Sequence, residues 1–295
     1  MSIVYLNDEY LDSKQAQISV MDRGFLFADG VYEVIPAYNG QYFRFEQHIS
    51  RLNQSLAAIH LPLSISLANW QQIALRLLEA NELVNATLYL QVTRGVDPVR
   101  QHLLTQSPKP TILAMVTPLP EIQLQANIKD LAAVVAVTAI TRTDIRWHRC
   151  DIKSTSLLAN CLLLQEALEN GKDDTILVRN GYAVEATASN LFMVKGQQII
   201  TPPLDAEILA GVTREFVLWL AKELGFSTQE RLISESELAT ADEIWLTSTN
   251  KEIRPVVELN DVNIGTGRAG PVWQQLFEAY QQLKNDLYQG FNPLS

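Results

Sequence analysis

The chain has 295 residues, of which 47% are hydrophobic, so it can bury sizeable cores and is not an intrinsically disordered protein. Its formal net charge is -10, and it has no basic stripe, which argues against nucleic acid and anionic membranes as partners. The two cysteines are not accompanied by further Cys or His residues at the spacing of a metal site or a disulfide framework. They therefore predict neither a disulfide scaffold nor a metal site.

The first part of the chain alternates strand-like runs with two amphipathic helices. A strand at Ile3–Leu6 is followed by the run VYEVIPAY, and the pair Asn39-Gly40 before QYFRF is a strong hairpin signal. Apolar residues at helical spacing predict helices from Glu46 to Ile59 and from Ser66 to Glu79. ATLYLQVTR and TILAMVT predict two further strands.

The second part has the same mixed character. A helix over residues 156–169 precedes several short strands, which include DDTILVR, YAVEA, NLFMVK and EIWLTST. Helices are predicted from Thr213 to Leu224, ended by Gly225, and from Pro271 to Leu287. Strands and helices do not alternate strictly, so we predict mixed α/β domains rather than a doubly wound sheet.

A proline-containing stretch, VTPLPEIQLQ, marks the expected domain boundary. We predict a smaller N-terminal domain over residues 1–118, a linker over 119–127, and a larger C-terminal domain over 128–295 that carries Lys153. The apolar runs are too short to span a bilayer, so the protein is expected to be cytoplasmic.

Lys153 lies between a short strand-like run and the apolar helix LLANCLLLQEAL. A lysine at an apolar boundary loses solvation and can serve as an amine nucleophile, as a Schiff-base enzyme requires. Glu185, in YAVEATASN, lies among small residues, where a buried carboxylate needs a partner. A carboxylate of this kind can keep a pyridine nitrogen protonated, although either residue alone also fits a structural role.

Two further groups have the character of anion sites. Gly211, Val212 and Thr213 stand where a helix begins, and a hydroxyl cluster that includes Thr247 and Thr249 closes the strand EIWLT. Helix starts and clustered hydroxyls bind phosphate well. Arg100 and the nearby His102 lie in a loop after a strand, and such a pair can receive a carboxylate through charge-assisted hydrogen bonds. Arg51 lies on the first long predicted helix, where most arginines are solvated.

In their order and spacing, these motifs resemble the fold type IV PLP-dependent aminotransferases, and within them the D-amino acid aminotransferases. The resemblance covers nearly the whole chain and rests on DRGFLFADGVYEV, HISRL, TRG, DIRWHRCDIKS, EATASNLF, ILAGVTRE and TSTNKEI. It implies two α/β domains with the active site between them, a homodimer, and pyridoxal 5'-phosphate (PLP) as cofactor.

The resemblance also implies roles for the matching residues. Lys153 matches the Schiff-base lysine and Glu185 the partner of the ring nitrogen. The residues that match the family's phosphate-binding positions are Arg51, Val212, Thr213 and Thr249. Leu209 matches a residue that packs on the cofactor ring, and Tyr32 matches a tyrosine on the substrate side. Arg100 and His102 match the pair that holds the substrate carboxylate.

The implied reaction is transamination between a D-amino acid, D-alanine, and a 2-oxo acid, 2-oxoglutarate. Three alternatives stay open: an aminodeoxychorismate lyase, a branched-chain L-amino acid aminotransferase, and a PLP-binding protein with little catalysis. The chain also departs from the family pattern. It has one extra residue before Arg100 in the loop of Pro98 to His102, and Ala188 replaces a hydroxyl residue.

Overall fold

The computed structural model describes residues 2–104, 108–119 and 136–289, and its contacts divide the chain into two compact units. The first contains the described part of Met1–Pro120 together with Ile152–Ser156. The second contains the described parts of Glu121–Asp151 and Leu157–Asp286. Within the described ranges, no helix has the length and apolarity needed to cross a membrane. The predicted linker falls, apart from residue 119, outside the described residues.

The first unit is built on an antiparallel sheet with the strand order β2-β1-β6-β5-β3-β4. Its long central pair, β3 and β5, places Val31 opposite Val92 and Ile35 opposite Leu88. The hairpin predicted at Asn39-Gly40 is confirmed. The strands are β1 Ile3–Leu6, β2 Glu9–Asp12, β3 Gly30–Tyr38, β4 Gln41–Tyr42, β5 Ala86–Thr93 and β6 Thr111–Pro118.

Three helices belong to this unit: α1 Arg23–Phe27, α2 Phe45–Ala58 and α3 Leu67–Ala80. The two long helices confirm the predicted ones to within one residue at each end. On α2, Ile49, Leu52 and Leu56 recur at helical spacing and are at most 3% exposed, because this apolar stripe packs against β3. The short helix α1 was not predicted.

The segment Ile152–Ser156 belongs to the first unit, whereas the sequence assigned Lys153 to the second domain. The reason is backbone pairing with β3 and α2. The Tyr32 N–H donates to the Lys153 carbonyl at 3.0 Å, and the Lys153 N–H donates to Ser55 Oγ at 3.2 Å. Ser154 also forms a β-bridge with Val31. These contacts join distant parts of the sequence, and hydrophobic periodicity carries no signal for them.

The second unit contains a larger sheet with the order β12-β11-β10-β14-β15-β7-β8-β9-β13, with β16 beside β15. A further pairing of β10 with β9 joins Asn190 to Glu185 and closes six strands into a ring. Closing the ring gives hydrogen-bond partners to backbone groups at strand edges that would otherwise be exposed. The strands are β7 Val137–Thr143, β8 Asp174–Arg179, β9 Tyr182–Ala186, β10 Asn190–Lys195, β11 Gln198–Thr201, β12 Ser227–Glu230, β13 Ile233–Ser234, β14 Glu243–Ser248, β15 Glu252–Leu259 and β16 Val262–Asn263.

The helices of this unit are α4 Leu158–Glu169, α5 Val212–Glu223, α6 Glu235–Leu238 and α7 Pro271–Tyr288. Buried ionic contacts fix the last of these. Glu243 on β14 accepts hydrogen bonds from the first-turn N–H groups of Val272 at 2.9 Å and Trp273 at 2.8 Å. Near the other end, Lys284 donates to Glu252 at 2.8 Å. Each unit combines a sheet, antiparallel in the first and mixed in the second, with helices, and this confirms the predicted mixed α/β class.

Candidate active site

In the first unit, Lys153 lies beside Tyr32 of β3. The Lys153 Nζ is 4.1 Å from the centroid of the Tyr32 ring, and the Tyr32 ring lies 5.7 Å from that of Tyr89. Both Lys153 and Tyr32 are half-buried. The backbone bonds described above fix the lysine at its base.

Arg51 belongs to a buried ionic cluster of the same unit. Its guanidinium donates to both oxygens of Glu33, at 2.7 and 2.8 Å, and His48 Nδ1 lies 2.8 Å from Glu33 Oε2. Burial alone would raise the pKa of Glu33, but the charge and hydrogen bonds of Arg51, with His48, hold it at about 2. Burial lowers the pKa of His48. Since a carboxylate only accepts, His48 Nδ1 is the donor. The bidentate contact with Glu33 fixes the plane of the Arg51 guanidinium.

Arg100 and His102 meet at one aromatic ring, that of Phe27 on α1. Arg100 Cζ lies 4.9 Å from the ring centroid, and the His102 ring centroid lies 5.5 Å away. Both side chains are exposed. The extra residue of this loop therefore leaves the Arg-x-His pair together on one platform.

In the second unit, Glu185 of β9 is buried against Arg146. Arg146 Nη1 donates to Glu185 Oε1, and the same guanidinium binds both oxygens of Asp144 at 2.8 and 2.9 Å. Glu185 Oε2 accepts longer bonds from Asn190 at 3.2 Å and the Leu209 N–H at 3.3 Å. Burial raises the pKa of Glu185, and Arg146 and the Leu209 N–H oppose part of that rise.

The start of α5 has the features of an anion cradle. Its N-cap, Gly211, makes no side-chain capping bond to the helix, and a Cβ at Gly211 would lie 1.9 Å from Asn190 Oδ1. Thr247, paired with Asn190 across the sheet, and Ser189 have buried hydroxyls without a hydrogen-bond partner among the described residues. Helix N-termini and unpaired hydroxyls both favour an anion. Val212 and Thr213 lie in the first turn of α5, and Thr249 lies two residues beyond Thr247, in the turn after β14.

Most of the chain matches the sequence model of a known protein family. Residues 30–259 match the model described as amino-transferase class IV. The chain belongs to the class IV aminotransferases. Enzymes of this class use PLP.

Individual relatives of this aminotransferase cover almost the whole chain. A D-alanine aminotransferase of Bacillus licheniformis is 38% identical over 94% of this chain and 95% of its own length. One of Staphylococcus haemolyticus is 34% identical over 96% and 98%. Among solved structures, the branched-chain amino acid aminotransferase of Escherichia coli superposes with a TM-score of 0.87 at 26% identity, over 96% of this chain and 94% of that one.

The donor groups of this aminotransferase fit the demands of PLP. The cofactor needs an amine, a carboxylate for its ring nitrogen and donors for its phosphate. Lys153 supplies a half-buried amine, and Glu185 is a buried carboxylate whose Oε2 makes only long bonds. The unpartnered hydroxyls of Ser189 and Thr247, beside the uncapped helix start, are donors suited to a phosphate.

Several residues at these positions received no role from the sequence. Arg146 lies within the quoted stretch DIRWHRCDIKS, and Glu33 directly follows Tyr32, so both were within matched motifs. What marks both residues as part of the site is an ion pair with a residue far away in the sequence, and local sequence patterns give no signal for such a pair. Phe27 and Asn190 were missed for the same reason. Thr247 belongs to the hydroxyl cluster that the sequence indicated as suited to phosphate, whereas the Ser189 hydroxyl received no role.

Proposed function

We propose that this aminotransferase moves an amino group from a D-amino acid, D-alanine, to a 2-oxo acid, 2-oxoglutarate. The substrate assignment rests on the similarity to D-alanine aminotransferases over more than nine-tenths of the chain. The placement of the Lys153 amine beside Tyr32 supports the chemistry. Arg100 and His102, side by side on Phe27, are a paired donor set suited to a carboxylate.

In this proposal Lys153 and Glu185 serve one PLP. When bound, PLP supplies an aldehyde that takes up the amino group and a ring that withdraws electrons from the substrate Cα. Lys153 moves the proton from Cα, as general base and then as general acid. Glu185 holds the proton on the ring nitrogen, and Arg146 and Asp144 keep its carboxylate in place.

The remaining proposed roles are binding and orientation. The phosphate is held by Arg51, whose plane Glu33 fixes, and by the helix start. Leu209 packs on the cofactor ring and Tyr32 lies on the substrate side of the ring, so each limits motion of the group that it contacts. Arg100 and His102 bind the substrate carboxylate and so select the hand of the amino acid. The residues proposed for the phosphate are Arg51, Val212, Thr213 and Thr249.

A second candidate is transamination of branched-chain L-amino acids. It is favoured by the superposition on the Escherichia coli branched-chain enzyme, but the identity there is 26%, against 38% for the D-alanine aminotransferase of Bacillus licheniformis. The same cofactor groups serve substrates of either hand. Initial rates with D-alanine, L-alanine and L-leucine, each with 2-oxoglutarate, separate the two candidates.

We also propose that the protein is a cytoplasmic homodimer. The helix α4 exposes three leucines, Leu158, Leu162 and Leu168, which are 74%, 55% and 54% exposed, and exposed apolar side chains clustered on one helix suit a second copy of the chain. Leu162→Asp should lower the mass measured by sedimentation equilibrium to that of one chain. Leu75→Asp, at an equally exposed leucine of α3, is the control that should leave the mass unchanged.

The chemical role of Lys153 is tested by comparing Lys153→Ala with Lys172→Ala. Lys172 pairs with acidic residues at the surface, so its loss should not affect the reaction. Borohydride treatment with PLP should attach one cofactor to wild type and to Lys172→Ala at a peptide containing Lys153, as measured by mass spectrometry. Lys153→Ala should lose this adduct and about 10²- to 10⁴-fold of the transamination rate. A wild-type rate in Lys153→Ala would contradict the proposal.

A further inference from the structure

The loop that carries Arg100 and His102 is fastened to α1 at two places. At its base, the buried Arg23 donates from Nη1 to Asp97 at 3.0 Å, to the Gln101 carbonyl at 2.8 Å and, more weakly, to the Leu103 carbonyl at 3.4 Å. At its tip, the Phe27 ring lies beneath Arg100 and beside His102. The loop backbone and its two functional side chains thus bind one five-residue helix.

The helix itself is held rigidly by the sheet. Its N-cap, Asp22, accepts from the Gly24 N–H at 2.8 Å, from Thr93 Oγ1 at 2.7 Å and from Thr111 Oγ1 at 2.6 Å. Asp22 is fully buried. Arg23 also donates to Asp29 at 2.8 Å. A platform anchored by buried charge-assisted bonds moves little, so it can transmit order to an exposed loop.

We infer that Phe27 and Arg23 are positioning residues that hold Arg100 and His102 ready for the substrate carboxylate. This rests on the proposed function, in which Arg100 and His102 bind that carboxylate. Long exposed side chains lose conformational freedom when they bind a ligand, and that loss weakens binding unless they are already ordered. The flat face of Phe27 orders both side chains at once, through a cation–π contact and a ring contact.

The expected effect of removing the ring follows from the strength of these contacts. Two contacts of the exposed cation–π class correspond to a roughly 5- to 30-fold change in an equilibrium constant. Phe27→Leu should therefore raise KM for D-alanine by that factor. Its kcat should stay within about twofold, because the carboxylate is bound equally in the ground state and the transition state.

The test uses the full-length enzyme loaded with PLP. Phe25→Leu is the matched control: Phe25 lies on the same helix but is 69% exposed, so its loss should leave KM unchanged. Phe27→Tyr keeps the ring and should keep the wild-type KM. In an Arg100→Ala, His102→Ala background, Phe27→Leu should have no further effect on KM, because its action runs through those side chains.

A second readout does not depend on turnover. The Phe27 ring should shift the His102 Cε1–H resonance in the proton NMR spectrum, and Phe27→Leu should return that resonance to its ordinary position. The chain has four histidines, so His102→Gln assigns the signal.

Two outcomes separate this inference from the proposed function. If Arg100→Ala leaves KM for D-alanine unchanged, the proposed carboxylate role of Arg100 fails. If Arg100→Ala raises KM but Phe27→Leu does not, or if Phe27→Leu still raises KM in the Arg100→Ala, His102→Ala background, the positioning role of Phe27 fails. The same holds if the His102 resonance does not move.

Discussion

Arg146→Gln should destabilise the protein, because it removes the guanidinium that bridges Asp144 and Glu185. The exposed fractions of the three side chains are 6% for Arg146, 0% for Asp144 and 6% for Glu185. Breaking a buried ion pair by removing one partner costs about 3–5 kcal/mol. Asp144 keeps a second partner, Arg179, at 2.8 Å, so we expect a loss near the lower end of that range.

The pH dependence of this loss has a definite sign. Burial already raises the pKa of Glu185 in the wild type, and removing Arg146 raises it further. A carboxyl whose folded pKa is raised keeps its proton longer when folded than when unfolded, so its contribution to stability falls as pH rises from its unfolded pKa through its folded one. The penalty in Arg146→Gln should therefore be greatest near neutral pH and should shrink as the solution becomes acidic.

The assay is urea unfolding of the protein without PLP, followed by tryptophan fluorescence at several pH values. Arg149→Gln is the matched control, since Arg149 pairs with Asp151 in the same segment but both are exposed. Solvent screens such a pair, so its loss should change the free energy of unfolding little. An Arg146→Gln penalty no larger than that of Arg149→Gln, or one that is constant with pH, would refute the reasoning.

Two further predictions concern buried carboxylates. The pKa of Glu33 is held at about 2, so the stabilising contribution of its carboxylate is present above its ordinary pKa and is lost as pH falls toward 2. In Glu33→Gln, the free energy of unfolding, measured with urea, should therefore fall less steeply as the solution is made acidic. A fall as steep as in wild type would contradict this. Glu243 accepts hydrogen bonds from two N–H groups of α7 and from Trp245 Nε1. Glu243→Ala should therefore lower the free energy of unfolding by about 1–3 kcal/mol and speed amide hydrogen exchange in the first turn of α7. Unchanged exchange there would count against the anchoring role.

Local patterns in the sequence predicted the elements well. The stripe of Ile49, Leu52 and Leu56 located α2, and Asn39-Gly40 located a hairpin whose φ angles of 48° and 80° match the turn that such a pair favours. These features depend on neighbours along the chain. The helix α1 was missed because five residues are too few to show a helical period.

The site was less predictable because it depends on pairing between distant residues. The resemblance to a family picked out Lys153 and Glu185, but not Arg146, which is 39 positions from its partner Glu185. Assignment of Lys153 to a unit depends on its backbone bonds to Tyr32 and Ser55, and the latter is 98 positions away. The closed ring of β7 to β10 with β14 and β15 likewise has no signature in any one window of sequence.

The most direct test of the central claim is a single half-reaction, followed as the pyruvate released from D-alanine in the absence of any 2-oxo acid. We predict one pyruvate per PLP-bearing chain with D-alanine, then no further release until 2-oxoglutarate is added, and no comparable release with L-alanine. Continuous pyruvate formation without a 2-oxo acid, or a stoichiometric release from L-alanine instead of D-alanine, would contradict the account.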